Sequence, residues 1–340
     1  MRICVVGAGA IGGMLGARLA LAGNTVSLVA RGAHLQAIRS DGLALIDDAG
    51  VQHVARPACA TDTLAELGPQ DVVVLAMKAH QVADVAAQLT PLLESGTRIV
   101  TMQNGIPWWY FHGLTGPWRG TALHSLDPDG SIARHVPAER IIGSVVYPAC
   151  EVIRPGVIRV IEGNRFSLGE PDGSDTPSIR AISAVFKAAG LRAPVTSDIR
   201  SEIWLKVWGN LSFNPISALT HATLEDICLY GPTRALAAGM MTEAQAIGEK
   251  LGVRFKVSLD KRIAGAQAVG QHKTSMLQDV EQGRPLELQA LVGSVAELGR
   301  ITQTPTPSID AVWALASLLA RTLQQHQARL SVASTTRNRP

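Results

Sequence analysis

The sequence predicts an α/β fold in which an N-terminal parallel-sheet domain is followed by an all-α domain. Its 340 residues suggest about two domains, at roughly 150 residues each. Several short apolar segments before residue 195 are typical of buried parallel strands, whereas residues 197–325 follow an almost wholly helical pattern. We therefore predict domains over residues 1–195 and 196–327, followed by a frayed polar tail over 328–340.

Composition excludes several classes of protein. The content of 46% hydrophobic and 17% charged residues supports a buried core and argues against disorder. The net charge of +3 is too small to imply a nucleic-acid or anionic-membrane partner. The four cysteines lie far apart without a CxxC pair, which excludes a disulfide scaffold or zinc ribbon and favours a reducing cytoplasm; we predict no metal site. The longest apolar stretch, residues 311–320, falls short of the ~20 residues that span a bilayer.

A glycine motif directly follows the first predicted strand. That strand starts at Arg2, which leaves no room for a signal peptide and again favours the cytoplasm. Gly7-Ala8-Gly9-Ala10-Ile11-Gly12 then leads into a helical run over residues 13–22. In a dinucleotide fold the first glycine makes a tight turn, the second admits the pyrophosphate, and the third lets helix pack on strand. With a strand before it and a helix after it, the motif predicts an N-terminal Rossmann-type domain.

The second predicted strand, residues 25–30, is followed by Arg31. A site selective for NAD usually places Asp or Glu there, where it binds the ribose 2′-hydroxyl. A guanidinium instead pairs well with a phosphate. An exposed loop arginine is the alternative, but the position favours NADP (NADPH) as the cofactor.

Polar residues also follow two later strands. Segment 71–77 ends at Lys78, and segment 98–102 is followed by Gln103-Asn104-Gly105. Ligands of open α/β sheets bind at the carboxyl ends of strands, so we expect Arg31, Lys78 and Asn104 on one rim. A solvated lysine and a plain turn are the alternatives for Lys78 and Asn104. The remaining predicted elements of this half are two short strands within residues 42–55, strands over 141–149, 157–161 and 191–195, and a helix over 176–189.

The second half opens with a helix that carries a polar stripe. Ser197-Asp198 can cap this helix, and Lys206, Asn210 and Asn214 follow at spacing i, i+4, i+8 on one face. A lysine among tryptophans is either a structural residue that extends its amine to solvent or a functional one with a shifted pKa. The two asparagines favour the second interpretation. An ammonium can stabilise the charge that hydride addition leaves on a carbonyl oxygen, and can supply the proton.

A second polar segment, Lys273 to Glu287, contains a predicted break between helices. Gly283 should end one helix, and Pro285 suits the first turn of the next, which places Glu287 in that turn. A carboxylate there also simply complements the helix dipole. Asp279 is equally consistent with a solvated charge on a helix face.

Together these motifs resemble the ketopantoate reductase family, over Met1 to about Gln325. The matching pieces are Gly7–Gly13, Arg31, Lys78-Ala79-His80-Gln81-Val82, Asn104-Gly105, Lys206-x3-Asn210-x3-Asn214-Pro215, Ser275-Met276-Leu277-Gln278-Asp279 and Glu287. The resemblance implies reduction of the 2-oxo group of ketopantoate (2-dehydropantoate) to (R)-pantoate by NADPH, a step of pantothenate biosynthesis.

The resemblance also implies roles for individual residues. Lys206 is similar to the family's catalytic lysine, the proton donor to the ketone oxygen. Glu287 is similar to the acid that orients this lysine and the substrate hydroxyl, and it counts among the cofactor contacts. Residues similar to those that fix the substrate and the nicotinamide ribose are Asn104, Asn210, Asn214 and Ser275. Cofactor contacts are implied for Gly7, Ala8, Gly9, Ala10, Ile11, Gly12, Arg31, Lys78, Asn104 and the backbone around Ala149, while Asp279 resembles a support within its motif.

The chain departs from the shorter members of this family directly after Asn104-Gly105-Ile106. An aromatic insertion, residues 107–118, contains Trp108, Trp109, Tyr110, Phe111 and Trp118. It is either a loop packed against the second domain or a pocket wall that redirects specificity. The alternatives are therefore a reductase of a different 2-oxo acid, a β-hydroxyacid dehydrogenase of the same superfamily, or a non-catalytic redox sensor that binds NADP.

The C-terminal part carries an apolar stripe whose partner the sequence leaves open. Val312, Leu315, Ala316 and Leu319 could face a second copy in a homodimer or simply the core.

Overall fold

The computed structural model describes residues 1–332, which form two compact units. The first is Met1–Glu202 and the second is Ile203–Pro340, described as far as residue 332. Within residues 1–332, no helix is both long and apolar enough to cross a membrane. A parallel-sheet unit followed by a helical one confirms the predicted fold class.

The first unit is built from strands and intervening helices. Its strands are β1 (Arg2–Val6), β2 (Thr25–Val29), β3 (Leu43–Ile46), β4 (Gln52–Ala55), β5 (Cys59–Thr61), β6 (Val72–Leu75), β7 (Arg98–Thr101), β8 (Ile141–Val146), β9 (Ala149–Arg154), β10 (Val157–Glu162) and β11 (Phe166–Gly169). Its helices are α1 (Ala10–Leu21), α2 (Gly32–Asp41), α3 (Val82–Ala86), α4 (Ser131–His135) and α5 (Pro177–Ala188), with 3₁₀ turns at Leu64–Glu66, Ala79–Gln81, Ala87–Leu92 and Ala138–Arg140.

The main sheet has the strand order β11-β8-β7-β6-β1-β2-β5. All neighbouring pairs are parallel except β11 with β8. The chain runs outward from β1 through β2 to β5 and then crosses back to β6 on the other side of β1. This reversal opens a crevice beyond the carboxyl ends of β1 and β6, where open α/β sheets bind their ligands.

A smaller sheet of order β4-β3-β10-β9 accompanies the main one. The β3–β4 hairpin confirms the two short strands predicted within residues 42–55. The segment predicted as one strand over 141–149 is in fact β8 and the start of β9. It breaks at Tyr147-Pro148, because Pro148 has no N–H and Tyr147 donates its own to the carbonyl of Arg165.

The strand predicted over 191–195 is wrong, because this segment forms only isolated bridges to Arg165 and Leu168. Pro194 cannot donate a ladder hydrogen bond, which limits the pairing. Strand β11 was not predicted from the sequence. The helix predicted over 176–189 is confirmed as α5, whose N-cap Thr176 accepts a hydrogen bond from the N–H of Ile179.

The remaining elements within residues 1–332 are helices. They are α6 (Ile199–Thr220), α7 (Leu224–Leu229), α8 (Gly231–Lys250), α9 (Leu259–Ala268), α10 (Ser275–Gln282), a π-helical turn over Gln289–Gly293, α11 (Ser294–Ile301) and α12 (Pro307–Gln325). Asp198 caps α6 as predicted, since it accepts a hydrogen bond from the N–H of Ser201. Gly283 ends α10 with φ +65°, also as predicted.

The two units divide between Glu202 and Ile203, whereas the sequence places the boundary after residue 195. The first turn of α6 belongs to the first unit, where Arg200 donates to the carbonyl of Tyr110 and Glu202 pairs with Arg165. Of the tail predicted to fray, residues 333–340 lie outside the described part. Within residues 328–332, Leu330 donates its N–H to the carbonyl of Val280.

Candidate active site

The glycine loop joins β1 to α1 in a turn that has no room for a side chain at Gly7 or Gly12. Gly7 has φ +98°, and a Cβ there would lie 2.9 Å from the backbone nitrogen of Met77. A Cβ at Gly12 would lie 2.1 Å from the carbonyl oxygen of Gly7. The N–H groups of Gly7 and Ala8 both donate to the carbonyl of Val29, which ties the loop to β2.

A cavity of about 470 Å³ lies against this loop, within the first unit. Gly7, Ala8 and Gly9 line it, and a Cβ placed on Gly9 would meet nothing within 4 Å. The first turn of α1 begins at Ala10-Ile11-Gly12 and contains no acidic residue, and its N-cap Gly9 offers no side-chain acceptor. A helix N-terminus left open in this way suits an anion such as the pyrophosphate of a dinucleotide.

Arg31 lies at the N-cap of α2 and also lines the cavity. His34, one turn further on, lines it too and forms a hydrogen bond with the carbonyl of Ala8. Arg154, the last residue of β9, and Pro155, which follows it, also line the cavity. Arg154 could not be predicted as a site residue, because an arginine beside a Pro-Gly turn carries no signal until the pairing of distant strands is known.

Lys78 and Asn104 follow neighbouring parallel strands. Leu75 of β6 pairs with Thr101 of β7. Lys78 comes three positions after Leu75, and Asn104 comes three positions after Thr101. Gln103 ties the two strand ends together, since its amide donates to the carbonyls of Leu75 and Met77 at 2.8 and 3.1 Å. The fold thus brings both strand ends to the edge of the sheet where Arg31 also lies. Ala149, by contrast, is the first residue of β9 in the smaller sheet.

Part of the aromatic insertion is packed into the first unit, whereas most of residues 112–117 is exposed. Trp109 is 3% exposed and donates its indole N–H to the hydroxyl of Thr101 at 3.0 Å. Tyr110 and Phe111 are buried with their rings edge to face, 5.2 Å between centroids. The guanidinium of Arg200 lies 5.6 Å from the centre of the Tyr110 ring and bonds the carbonyl of Tyr110. These residues form core contacts within residues 1–202.

In the second unit, α6 has one face fixed by tryptophans. Trp204 and Trp208 are fully buried, and Trp208 donates its indole N–H to the carbonyl of Met241 at 2.6 Å. The Phe255 ring lies 4.8 Å from that of Trp208. At about 100° per residue, Lys206 and Asn210 point roughly opposite to these rings. Packing of the aromatic face therefore orients the polar stripe, of which Asn214 is 5% exposed.

Lys206 and Glu287 interact within the second unit. Burial lowers the pKa of Lys206 to about 8, and the negative charge of Glu287 acts in the opposite direction. An amine with a pKa of about 8 remains largely protonated near neutral pH and releases its proton more readily than an ordinary lysine. The pair can therefore deliver a proton to a developing oxyanion.

Glu287 lies just before a helix, whereas the prediction placed it in the first turn of one. The helical residues begin at Leu288, and the carbonyl of Glu287 accepts a hydrogen bond from the N–H of Leu291. The preceding link, residues 283–287, is not helical because Arg284 turns back onto α10. Its N–H donates to the carbonyl of Asp279, and its Nε lies 2.8 Å from the Asp279 carboxylate.

Asp279 is 5% exposed, so it is a buried ion-pair partner rather than a solvated charge. Ser275, in contrast, is the exposed first residue of α10. Its neighbour Thr274 is the N-cap, accepting a hydrogen bond from the N–H of Leu277. The buried Asp279 thus links α10 to the segment that carries Glu287.

Two family models match the chain. The one described as ketopantoate reductase PanE/ApbA covers residues 3–173, and its C-terminal counterpart covers residues 198–320. A 2-dehydropantoate 2-reductase from Mesorhizobium japonicum is 58% identical over 321 residues, which cover 94% of this chain and 98% of the relative.

Solved structures agree with these matches. A protein from Ralstonia solanacearum MolK2, provisionally assigned as a ketopantoate reductase, superimposes with a TM-score of 0.90 at 44% identity, covering 95% of this chain and 98% of the other. D-mandelate dehydrogenase, solved in a ternary structure with NADH and anilino(oxo)acetate, has a TM-score of 0.79 at 20% identity, with coverages of 95% and 99%. This second likeness concerns the fold alone. The chain belongs to the ketopantoate reductase family, whose members are NAD(P)-dependent oxidoreductases.

Proposed function

We propose that this chain reduces the 2-oxo group of ketopantoate to (R)-pantoate with NADPH, as a step of pantothenate biosynthesis. The observation that carries the proposal is Lys206, whose pKa is lowered to about 8 by burial in the presence of Glu287. A reductase of a ketone needs such a proton donor, whereas a redox sensor that only binds NADP does not. The 58% identical relative from Mesorhizobium japonicum supports ketopantoate as the substrate.

In the proposed reaction, Lys206 gives a proton to the ketone oxygen as negative charge develops there. NADPH, when bound, supplies the hydride for the carbonyl carbon. Glu287 favours the protonated form of Lys206, and its own carboxylate can accept a hydrogen bond from the substrate hydroxyl. Asn210 and Asn214 offer amide groups on the same helix face for holding the substrate, and we assign the same role to Asn104 and Ser275.

The cofactor site would be the cavity beside the glycine loop. The open N-terminus of α1 would hold the pyrophosphate, and Arg31 would pair with the 2′-phosphate of NADPH. Lys78 and the backbone around Ala149 remain proposed contacts of the same cofactor. An arginine after β2, in place of an acidic residue, supports NADPH over NADH.

Steady-state kinetics with NADPH test the proposed substrate. The kcat/KM for ketopantoate should exceed that for every member of a panel of other 2-oxo acids, and that for β-hydroxyacids, whose oxidation is assayed with NADP⁺ in place of NADPH. A reductase of a different 2-oxo acid would instead have a kcat/KM for ketopantoate far below that for its own substrate, and this result would contradict the proposal.

We also infer a cytoplasmic location, since all four cysteines are free. The homodimer stays a prediction. In the apolar stripe of α12, Val312 and Ala316 are buried, while Leu315 is 58% exposed. Light scattering coupled to size-exclusion chromatography measures the mass in solution directly.

A further inference from the structure

The turn between β9 and β10 forms one wall of the cavity that we propose for NADPH. Arg154, the last residue of β9, lines this cavity together with Pro155 and the glycine loop. Strand β10 pairs antiparallel with β9 and parallel with β3. The smaller sheet therefore supplies a basic residue to a site whose other walls come from the main sheet.

His34 connects this turn directly to the glycine loop. Its Nδ1 lies 3.0 Å from the backbone nitrogen of Gly156, and its Nε2 lies 2.8 Å from the carbonyl oxygen of Ala8. A backbone N–H can only donate, so Nδ1 carries no proton and Nε2 donates to Ala8. Burial lowers the pKa of His34, which favours the neutral ring that this arrangement requires.

Two further contacts fix the turn. Gly156 has φ +74°, and a Cβ at this position would lie 2.8 Å from the Cβ of Ala37 in α2. The carbonyl of Gly156 accepts a hydrogen bond from the N–H of Ala44 at 2.9 Å. Arg154 thus extends from a backbone that is held by a helix, a neighbouring strand and the His34 ring, which preorganises it for binding.

The charges of the cavity match a phosphate monoester better than a hydroxyl. Arg31 and Arg154 both line it and both are exposed, and within residues 1–332 neither guanidinium forms a hydrogen bond or ion pair with another residue. The acidic residues of the lining are Asp62 and Asp84. A phosphate monoester carries about two negative charges near neutral pH, and guanidinium groups bind it by paired hydrogen bonds. Since the N-terminus of α1 suits the pyrophosphate, two additional arginines indicate one further phosphate group.

We propose that Arg154 determines cofactor specificity together with Arg31, by binding the 2′-phosphate of NADPH, and that His34 is the residue that positions Arg154. This inference rests on the proposed use of NADPH. It adds two residues to that proposal. Arg154 is a second cationic residue and comes from the smaller sheet, and His34 acts by positioning Arg154.

The test measures the Kd of NADPH and of NADH by titration of the full-length protein. Arg154→Gln should weaken NADPH binding by about tenfold or more and leave NADH binding little changed, because one charge-assisted phosphate contact is lost. Arg159→Gln is the matched control. Arg159 is an exposed arginine on β10, paired with Glu151 at 3.1 Å and absent from the cavity lining, so both affinities should stay as in the wild type.

His34 is tested by the ratio of the NADPH and NADH affinities. His34→Ala should reduce this ratio in the wild-type background and have no further effect on it in Arg154→Gln. His34→Gln should restore much of the ratio, because an amide can accept from Gly156 and donate to Ala8. A ratio that falls equally in both backgrounds would show that His34 does not act through Arg154, and would overturn that part of the inference.

The outcomes also separate this inference from the function on which it rests. The role of Arg154 is overturned if Arg154→Gln leaves NADPH binding unchanged, or if it weakens the binding of NADPH and of NADH equally. If the wild type prefers NADPH, and Arg31→Ala abolishes that preference while Arg154→Gln leaves it unchanged, the inference fails and the proposed cofactor stands. A wild type that binds NADH as tightly as NADPH overturns both.

Discussion

Lys206 combines two opposing influences on one amine. Burial removes water from the ammonium and lowers its pKa to about 8, while Glu287 stabilises the charged form. The first effect is the larger, so the proton is released more easily than from an exposed lysine. The second keeps enough of the ammonium present at neutral pH to act as a general acid.

Replacing Glu287 by Gln should shift the pH dependence of kcat. In the proposed reaction protonated Lys206 is the proton donor, so activity should fall as the pH rises through the lysine pKa. Glu287 raises that pKa, and its loss lowers it; the falling limb should therefore move to lower pH. A pH–rate profile under saturating substrates measures the shift.

Glu249→Gln serves as the control, because Glu249 is an exposed carboxylate on α8 bonded to Gln245. Its profile should match the wild type. A falling limb that stays in place or moves to higher pH in Glu287→Gln would contradict the assigned interaction.

At the scale of elements, the aromatic insertion is joined to β7 by one buried hydrogen bond. The Trp109 indole donates to Thr101, the last residue of that strand, and Gly143 in β8 leaves room for the ring. A Cβ at Gly143 would lie 2.7 Å from the Trp109 ring. We infer that this part of the insertion stabilises the end of the sheet.

Thr101→Val should therefore lower stability and leave substrate preference unchanged. The substitution keeps the shape of the side chain but leaves the buried Trp109 N–H without its acceptor, at a cost of about 1–3 kcal/mol in the free energy of unfolding. Urea denaturation measures this change, and Thr90→Val, at an exposed threonine, should have little effect. If the ratio of kcat/KM values for ketopantoate and other 2-oxo acids changes while stability does not, the insertion acts on the substrate instead.

At the scale of the whole molecule, features encoded locally were the ones that sequence patterns could predict. Gly7 is favoured by its own φ of +98°, and Gly12 is required by the carbonyl of Gly7 within the same loop. The stripe of Lys206, Asn210 and Asn214 follows from helical spacing alone. The smaller sheet could not be predicted, because Ala44 and Val157 pair over a long separation that leaves no mark on either segment. The position of Arg154 and the burial of Asp279 depend on such distant contacts, so both were found only in the structure.

The residues proposed for cofactor binding and those proposed for turnover belong to different units. The cavity proposed for NADPH is lined by residues of Met1–Glu202, whereas Lys206 and Glu287 belong to the second unit. A change at Lys206 should therefore affect the chemical step far more than the affinity for the cofactor.

The most direct test of the account is the kcat of Lys206→Ala with ketopantoate and NADPH, measured beside the Kd of NADPH. We predict that kcat falls by about 10²–10⁴-fold, the usual contribution of a general acid, while the Kd changes little. A Lys206→Ala variant that keeps the wild-type kcat would contradict the central claim that Lys206 is the proton donor.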